Sequence, residues 1–517
     1  MDKLSILWAD DEIDLLKPHV LFLREKGFEV TTATNGHDAL DLFKKQRYDI
    51  IFLDENMPGL SGLETLVQLK NINAEIPVVM ITKSEEEHIM EDAIGSKIAD
   101  YLIKPVNPNQ ILLSIKKNLD TKRLVSEKTT SVYQQEFRSI GMTLNEKLDY
   151  KSWVEVYKKL IYWELELEKS KDEGMYEILT MQKNEANVQF SKFIENNYLN
   201  WLKQDDKAPV MSHTLFRKKI LPVIESTEDT VFFILIDNLR YDQWKMIAPI
   251  LSDEFRIVEE DAYYSILPTA TQYSRNSIFA GMMPSDIEKR FPKLWFNDEE
   301  EGGKNLHEEE FFADQLSRLR KPIKFSYTKV TNLDAGKAMV ENIPNMFQNK
   351  FNIIVYNFVD MLSHARTDMQ VIRELADDES AYRSLTVSWF EHSPLLDAIR
   401  KIAAKNVKVV ISTDHGTIRV KEPSKLIGDR NTNTNLRYKQ GKNLNYEKKD
   451  VFEVKNPIDA MLPRTNLSTS FVFAKQDKFF AYPNNYNYYV NFYRNTLQHG
   501  GISPEEMIIP VITLASK

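Results

Sequence analysis

The first 120 residues alternate between short apolar runs and segments with helical spacing. Each run is continuously apolar, as expected for a parallel strand that is covered on both faces. In the first intervening segment, Ile13, Val20 and Leu23 would share one face of a helix, which Pro18 is expected to kink. Alternation of this kind predicts a doubly wound α/β sheet. The predicted strands are residues 4–9, 28–34, 48–53, 77–81 and 101–103.

Charged and hydroxyl side chains follow four of these strands. Asp10 and Asp11 follow the first strand, Asp54 the third, Thr82 the fourth and Lys104 the fifth. In a doubly wound sheet, ligands bind at the carboxyl ends of the strands. Three clustered carboxylates repel one another and favour a divalent cation such as Mg²⁺. The lysine can neutralise the charge of a phosphoryl group, and the threonine hydroxyl can follow that group by hydrogen bonding.

Residues 121–205 show helical spacing without strand patterns. Trp153, Val156 and Leu160 lie on one stripe of an amphipathic helix. We predict two or three helices packed as a small linker bundle, with Trp153 and Trp163 in its core. The sequence here is too mixed in charge for the recognition helix of a helix-turn-helix domain, which disfavours a role in reading DNA.

Residues 206–517 contain a second set of continuously apolar runs. Asp237, Asp360 and Asp414 follow the first three of them, which repeats the pattern of the first 120 residues. We therefore predict a second, larger α/β sheet with carboxylates at one edge. The runs are residues 231–236, 351–359, 407–412 and 507–514.

Three of the nine histidines lie near these carboxylates or beside a glycine turn. His364 follows Asp360 by four residues, so one helical turn presents both side chains on the same face. His415 directly follows Asp414, and His499 precedes two glycines ahead of the last run. Histidine combined with carboxylate suits borderline metals such as Zn²⁺.

Two threonines, Thr269 and Thr271, are candidate nucleophiles. A helix is predicted to follow them as far as Gly281. A hydroxyl at a helix start faces backbone N–H groups and the positive end of the helix dipole, which suits a phosphate. Threonine is also a common helix cap, so the residues alone leave the capping role open.

Composition restricts the ligand chemistry and the compartment. The 517 residues include no cysteine, so any metal must be held by Asp, Glu and His. No run approaches the roughly 18 apolar residues of a membrane span, and the first residues lack the pattern of a signal peptide. We expect a cytoplasmic protein without a membrane partner. The net charge of −9 argues against coating nucleic acid along the whole chain.

The first 120 residues resemble the receiver domain of two-component response regulators, which has a flavodoxin-like fold. The motifs that carry the resemblance are Asp10-Asp11-Glu12, Leu53-Asp54-Glu55-Asn56-Met57-Pro58-Gly59, Thr82-Lys83 and Lys104-Pro105.

The receiver resemblance implies a role for each of these residues. Asp54 is expected to accept a phosphoryl group from a sensor histidine kinase. Lys104 is expected to contact that group, with Thr82 and Tyr101 as switch residues. The expected Mg²⁺ ligands are Asp10, Asp11, Asp54 and the backbone carbonyl of Asn56.

Residues 206–517 resemble the alkaline phosphatase superfamily, and in particular its PglZ-type branch. With the receiver in front, the whole chain resembles the PorX-type regulators of the Bacteroidetes, with domains at 1–120, 121–205 and 206–517. The motifs are Leu235-Ile236-Asp237-Asn238-Leu239-Arg240, Pro268-Thr269-Ala270-Thr271, Asp360-Met361-Leu362-Ser363-His364, Asp414-His415-Gly416 and His499-Gly500-Gly501.

The superfamily resemblance implies two zinc ions and places Thr271, rather than Thr269, as the nucleophile. Threonine instead of serine departs from many relatives, a departure that the diesterase branches share. One metal would be bound by Asp237, Asp414, His415 and the Thr271 oxygen, and the other by Asp360, His364 and His499.

Residues 428–455 form a polar stretch rich in Arg, Lys and Asn, which we interpret either as a solvated loop or as a groove for an oligonucleotide. In the second interpretation, Tyr438 and Tyr446 would stack on bases. The side chains that we expect to contact substrate are Asn238, Arg275, Arg430 and Arg437.

These features predict a response regulator in which phosphorylation controls a zinc-dependent phosphodiesterase acting on nucleotides or oligonucleotides, and thereby secretion or gene expression. The alternative is a degenerate phosphoesterase fold that docks a transcription or sigma factor. The complete set of predicted ligands favours the enzyme. The chain is also expected to form a homodimer on phosphorylation, because receivers commonly pair in that state.

Overall fold

Two units make up the chain, Met1–Tyr133 and Gln134–Lys517. The computed structural model describes residues 4–83, 98–170, 173–204, 207–298, 300, 303–429 and 432–517. Within its helices, the side chains of residues 116, 119–131, 170, 173, 364–368, 370 and 371 lie outside this description.

The N-terminal unit is a parallel sheet of five strands in the order β2-β1-β3-β4-β5. Its strands are apolar on both faces: Leu7 and Leu53 belong to one core cluster, and Trp8 and Phe52 to another. This confirms the predicted doubly wound sheet. The strands are β1 (Ser5–Ala9), β2 (Glu29–Ala33), β3 (Ile50–Asp54), β4 (Val78–Thr82) and β5 (Asp100–Ile103).

The expected kink at Pro18 is absent. A 3₁₀ turn, Ile13–Leu16, precedes the first α-helix, and Pro18 lies in the first turn of that helix. The prediction was wrong because a first-turn residue has no intrahelical N–H bond to lose. The described helices of this unit are α1 (Lys17–Glu25), α2 (Gly36–Lys45) and α3 (Gly62–Ile72).

Three long helices connect the sheets, and the first runs through the predicted domain boundary at residue 120. These helices are α4 (Pro108–Leu144), α5 (Tyr150–Ser170) and α6 (Glu173–Trp201). Trp153 and Trp163 are both buried, and Trp153 packs edge-on against Phe190 with a centroid distance of 5.3 Å. Both tryptophans are therefore core residues, as predicted.

The C-terminal unit is built on a six-stranded sheet in the order β7-β19-β10-β6-β9-β8. Its strands are β6 (Val231–Ile236), β7 (Phe255–Tyr264), β8 (Phe325–Val330), β9 (Phe351–Tyr356), β10 (Lys408–Ser412) and β19 (Ile508–Ser516). The four strands β10, β6, β9 and β8 run parallel, and β19 pairs antiparallel with both of its neighbours, β10 and β7. The sequence did not reveal β7 and β8, because both are edge strands with partly exposed, polar-rich faces.

Small sheets and short helices surround this sheet. Two strands, β11 (Ile418–Arg419) and β18 (Leu497–Gln498), form a pair. Two three-stranded sheets contain β12 (Glu422–Ile427), β14 (Asn445–Tyr446) and β17 (Lys478–Ala481), and β13 (Tyr438–Gly441), β15 (Val451–Val454) and β16 (Ser470–Ala474).

The helices of the C-terminal unit lie between these strands, and no described helix of the chain is long and apolar enough to cross a membrane. They are α7 (Leu221–Glu225), α8 (Tyr241–Ile247), α9 (Thr271–Ala280), α10 (Pro284–Arg290), α11 (Glu308–Arg318), α12 (Leu333–Met346), α13 (Val359–Asp368), α14 (Gln370–Leu375), α15 (Glu379–Glu391), α16 (Pro394–Ala403), α17 (Tyr486–Tyr493) and α18 (Pro504–Met507).

Candidate functional sites

The N-terminal sheet brings its predicted site residues together at one edge. Lys104 Nζ lies 3.0 Å from Asp10 Oδ2 and 2.9 Å from Asp54 Oδ1. Burial raises the pKa of the Asp54 carboxyl to about 6, although the hydrogen bond from Lys104 acts to lower it. One carboxylate oxygen each from Asp10, Asp11 and Asp54 lies within 4.8 Å of the others. This oxygen-rich cluster suits Mg²⁺.

The predicted switch residue Thr82 makes a contact that the sequence did not reveal. Its hydroxyl donates a hydrogen bond to the carboxylate of Glu55, the residue after Asp54. A phosphoryl group on Asp54 would compete with Glu55 for this hydroxyl. The two other predicted participants lie nearby along the chain: Tyr101 is half-buried on β5, and Asn56 is exposed in the loop after β3.

In the C-terminal sheet, adjacent parallel strands place three predicted ligands side by side. Asp237 follows β6 and Asp414 lies two residues beyond β10, with β6 and β10 paired along their length. His415 Nε2 lies 4.0 Å from Asp237 Oδ1 and 3.9 Å from Asp414 Oδ2. All three side chains are buried, with one potential ligand atom from each within 4.8 Å of the others.

Contacts of Nδ1 orient the rings of His415 and His499, the two predicted ligand histidines whose side chains are described. Nδ1 of His415 lies 3.1 Å from the Gly416 carbonyl oxygen, and Nδ1 of His499 lies 3.1 Å from the Thr269 carbonyl oxygen. A carbonyl can only accept, so each Nδ1 donates, and in the neutral imidazole Nε2 is then the nitrogen with the lone pair. Histidine ligands of metals are commonly held in this way. The two rings stack with a centroid distance of 4.2 Å.

The second predicted ligand set is described in part. Asp360 lies in the first turn of α13, which corrects the prediction that it directly follows a strand: β9 ends four residues earlier, at Tyr356. His499 Nε2 is 3.8 Å from Asp360 Oδ1. His364 is one turn further along the same helix, but its side chain lies outside the described residues, so its metal contact stays a prediction.

The structure distinguishes the two threonines. Thr269 is fully buried; its hydroxyl donates to the Gly501 carbonyl oxygen at 2.9 Å and accepts from the Gly500 N–H at 3.0 Å. Thr271 is the first residue of α9, a helix that ends at Gly281 as predicted. It is half-buried, with Oγ1 3.0 Å from His415 Nε2. Thr271 is therefore the hydroxyl that faces the ligand set.

Arg275 lies at the predicted site but contacts different partners from the substrate that was predicted. Its guanidinium pairs with Asp237 Oδ2, donates from Nε to Asp414 Oδ2 at 2.9 Å, and donates from Nη1 to Asn357 Oδ1 at 3.0 Å. The side chain has no exposed surface. The expected substrate contact is therefore wrong in this structure, because the carboxylates of two predicted ligands already use the guanidinium.

The pKa values of the two buried carboxylates, Asp237 and Asp414, are shifted in opposite directions. Burial raises the pKa of Asp237 well above its usual value, against the influence of Arg275. Burial also acts to raise the pKa of Asp414, but Arg275 and His415 outweigh it and the pKa is lowered. Asp237 Oδ1 is buried and has no hydrogen-bond partner among the described residues. An unsatisfied carboxylate oxygen facing a histidine fits a bound divalent cation.

Three family models match the chain in succession. The model of the response regulator receiver domain matches residues 6–116, and that of the PorX response regulator linker domain matches residues 123–202. The model of the BREX system PglZ alkaline phosphatase-like domain matches residues 215–514, more than half of the chain. The chain belongs to the PglZ alkaline phosphatase-like family. The order of the three domains is that of a PorX-type response regulator.

Individual relatives match shorter stretches. The transcriptional regulatory protein ZraR of Klebsiella oxytoca is 30% identical over 140 residues, which is 27% of this chain and 32% of that protein. The alginate biosynthesis transcriptional regulatory protein AlgB of Pseudomonas putida is 34% identical over 119 residues, which is 23% of this chain and 27% of that protein. This chain thus spans about a third or less of these curated relatives. The chemotaxis protein CheY4 of Vibrio cholerae, a solved structure, is 28% identical with a TM-score of 0.22, over 23% of this chain and 100% of that one.

In the PglZ domain, Asn238 supports a predicted ligand. Its backbone is left-handed, with φ 63°, a conformation that asparagine tolerates better than most residues. The buried side chain donates from Nδ2 towards Asp360 Oδ1 at 3.3 Å and Ser363 Oγ at 3.2 Å. Its Oδ1 has no hydrogen-bond partner among the described residues. A substrate contact from Asn238 therefore stays a prediction that concerns this oxygen alone.

The central part of the predicted oligonucleotide groove, from Arg437 to Lys439, is buried structure. Arg437 is fully buried and donates from Nε to Glu506 Oε1 at 3.1 Å and from Nη2 to Glu506 Oε2 at 2.6 Å. Tyr438 is buried with its hydroxyl donating to Asp298 at 2.8 Å, and Lys439 is buried under the ring of Tyr482. The predicted substrate and stacking roles of Arg437 and Tyr438 are thus wrong.

The remaining members of this stretch differ in exposure. Arg430 lies outside the described residues, so its substrate contact stays a prediction. Lys448 and Lys449 are exposed and Tyr446 is half-buried. Polarity in the sequence did not distinguish these surface residues from the buried ones.

If Arg437 is a structural residue, Arg437→Met should destabilise the C-terminal unit without a specific effect on substrate. Removing one partner of a buried ion pair leaves an uncompensated charge, Glu506, and costs about 3–5 kcal/mol. Lys448→Met, which removes an exposed charge of the same stretch, should change stability by less than about 0.5 kcal/mol. Thermal unfolding of both variants checks this. Equal stability of Arg437→Met and wild type would contradict the structural role.

Proposed function

We propose that phosphorylation of the receiver at Asp54 controls a zinc-dependent phosphodiesterase formed by the PglZ domain. The observation that carries this proposal is the position of Thr271. Its hydroxyl lies 3.0 Å from His415 Nε2, at the start of a ten-residue helix and beside the buried Asp237–Asp414–His415 cluster. A hydroxyl at this place combines a metal-ligand environment with the anion-favouring end of a helix.

Two predicted ligand sets would hold the metals. Asp237, Asp414, His415 and the Thr271 oxygen form one set, and Asp360, His364 and His499 form the other. Bound Zn²⁺ would lower the pKa of a coordinated hydroxyl or water and offset negative charge on the phosphoryl oxygens.

The reaction proceeds in two displacements at phosphorus. The Thr271 oxygen attacks, the bond from phosphorus to the leaving oxygen breaks, and the leaving alcohol takes up a proton. Water then attacks the phosphothreonine, which releases a phosphate monoester and restores the threonine hydroxyl. His415 and the start of α9 fix the Thr271 oxygen on the side of the ligand set.

A diester suits the charges of this site better than a monoester. A monoester carries up to two negative charges next to the phosphorus, and a diester carries one. Arg275, which could have bound the additional charge, is buried and already pairs with Asp237, Asp414 and Asn357. This supports diester hydrolysis. Exposed lysines such as Lys448 and Lys449 could pair with the phosphates of a nucleotide or oligonucleotide substrate.

The receiver supplies the control. A receiver implies a sensor histidine kinase as partner, and we propose that the phosphorylated chain forms a homodimer in the cytoplasm of a Bacteroidetes-type bacterium. Through its reaction product it would regulate secretion or gene expression. Docking of a transcription or sigma factor on a catalytically inactive PglZ domain is the competing function.

Thr271→Ala should abolish hydrolysis while leaving the fold and most of the bound zinc. Loss of the nucleophile commonly costs roughly 10⁶-fold in enzymes with a covalent intermediate. The measurement is turnover of a chromogenic diester, a monoester and a dinucleotide, together with zinc content. Thr271→Ser, which keeps a hydroxyl, is the matched control and should retain measurable turnover.

Chelation supplies the second arm of this experiment. Exhaustive removal of metal should stop hydrolysis, and added Zn²⁺ should restore it. If Thr271→Ala turns over substrate as fast as wild type, Thr271 is not the nucleophile and serves only as the first residue of the helix. A zinc-loaded wild type that hydrolyses none of the three substrates would instead favour the docking function.

Beryllofluoride, a phosphoryl mimic, should shift the wild type from monomer towards dimer in the presence of Mg²⁺. Asp54→Ala should not respond, because the mimic binds the acceptor carboxylate. Glu55→Gln should respond at a lower concentration, since its amide holds the Thr82 hydroxyl less strongly than the carboxylate does. Light scattering after size exclusion measures the shift. Dimerisation of Asp54→Ala to the wild-type extent would exclude this switch.

A further inference from the structure

A cavity of about 370 Å³ lies inside the C-terminal unit, away from Thr271. One wall comes from the linker helices α5 and α6, through Glu164, Lys183 and Asn187. The other wall comes from the PglZ domain and includes Arg240 and Glu505. Both walls belong to the same compact unit.

Three of the cations that line this cavity form ion pairs with carboxylates. Lys183 Nζ lies 2.6 Å from Glu164 Oε2. Arg240 Nη2 lies 2.6 Å from both Asp242 Oδ2 and Glu379 Oε2, and Arg419 Nε lies 2.9 Å from Glu379 Oε1. The fourth lining cation, Lys421, is exposed. Each of these three cations thus has a carboxylate partner, and one buried donor atom, Nη2 of Arg419, has no hydrogen-bond partner among the described residues.

The acceptors of the cavity are not all compensated. Seven carboxylates line it against four cations, and Arg383, which lies outside the lining, pairs with two of them, Glu164 and Asp242. Two buried acceptor atoms, Glu505 Oε2 and Asn187 Oδ1, have no hydrogen-bond partner among the described residues, and Asn187 is 8% exposed. Burial raises the pKa of Glu505, against the influence of Lys183. A carboxylate and an amide oxygen without donors require a donor, and the excess of carboxylates favours one with positive charge.

We propose that this cavity binds a small organic cation of the diamine class, with Glu505 and Asn187 accepting hydrogen bonds from its ammonium groups. Each ammonium offers three donors and one charge, which matches the uncompensated acceptors. The volume exceeds the roughly 30 Å³ of one water molecule about tenfold, so the cavity has room for a short aliphatic diamine.

Such a ligand would join the linker helices to the loops that carry the metal ligands. Arg240 lies three residues after Asp237. The backbone oxygen of Glu505 packs so closely on Gly416 that a Cβ there would lie 2.0 Å away. Gly416 directly follows His415. Binding would thus stabilise the packing of the linker helices on the PglZ domain, whether or not that domain hydrolyses phosphodiesters.

Putrescine, butane-1,4-diamine, is the probe, and butane-1,4-diol is its uncharged analogue of the same length. Calorimetric titration of the full chain should show saturable binding of putrescine at one site and none of the diol. Glu505→Gln should weaken putrescine binding by about tenfold or more, because an amide cannot supply the countercharge of the ammonium group. Glu447→Gln, an exposed carboxylate-to-amide change of the same type, should leave binding at the wild-type value.

Asn187→Leu provides a second variant that removes an acceptor without changing the charge, and it should also weaken binding. Circular dichroism and thermal unfolding establish that each variant is folded. Absence of saturable putrescine binding to wild type in the millimolar range would overturn the proposal. Equal binding by wild type and Glu505→Gln would also overturn it, because the cation would then bind elsewhere.

Discussion

One buried guanidinium holds together the two strand ends on which the candidate metal centre depends. Arg275, from the helix that begins with Thr271, bridges Asp237 after β6 and Asp414 after β10. Asp237 and Asp414 each have a carboxylate oxygen within 4.8 Å of the other. Two buried carboxylates this close repel each other, and each loses hydration. The guanidinium is planar and donates in fixed directions, so it offsets this repulsion and fixes both side chains. His415 and Thr271, which adjoin these elements, take their positions from the same arrangement.

In both large sheets of the chain, one cation offsets the repulsion between two carboxylates at neighbouring strand ends, but the cation differs. In the receiver, Lys104 lies between Asp10 and Asp54, at the ends of the adjacent strands β1 and β3. Lys104 is partly exposed, whereas Arg275 has no exposed surface. A flexible ammonium can move to a phosphoryl group on Asp54, which suits a switch. A rigid buried guanidinium keeps the predicted ligands in place, which suits the proposed metal centre.

The sequence predicted the sheets and the clustering of ligands because both follow from local patterns. Continuous apolar runs indicate buried parallel strands, and a polar residue at the end of such a run lies at the ligand-binding edge. Asp237 and Asp414 were identified in this way. The edge strands β7 and β8 were not identified, since their partly exposed faces carry no continuous apolar run.

Side-chain partners that are far apart in the sequence could not be predicted from it. Arg437 looked like part of a basic groove, but its partner Glu506 lies 69 residues further along the chain, and no local pattern connects them. Arg275 was placed at the site correctly and given the wrong partner. Charge in a sequence shows that a cation is present; the burial of its surroundings determines whether it binds substrate or another side chain.

Substitution of Arg275 tests most directly whether this guanidinium is the countercharge of the predicted metal ligands Asp237 and Asp414. Thermal unfolding is measured for wild type, Arg275→Gln and Arg275→Lys, each without metal and loaded with zinc. We expect Arg275→Gln to destabilise the metal-free protein by about 3–5 kcal/mol, because Asp237 and Asp414 lose their buried partner. Zinc should recover a large part of this loss, and Arg275→Lys should lie between the other two. Equal destabilisation of the metal-free and zinc-loaded forms would show that Arg275 contributes by packing alone and would contradict the countercharge role.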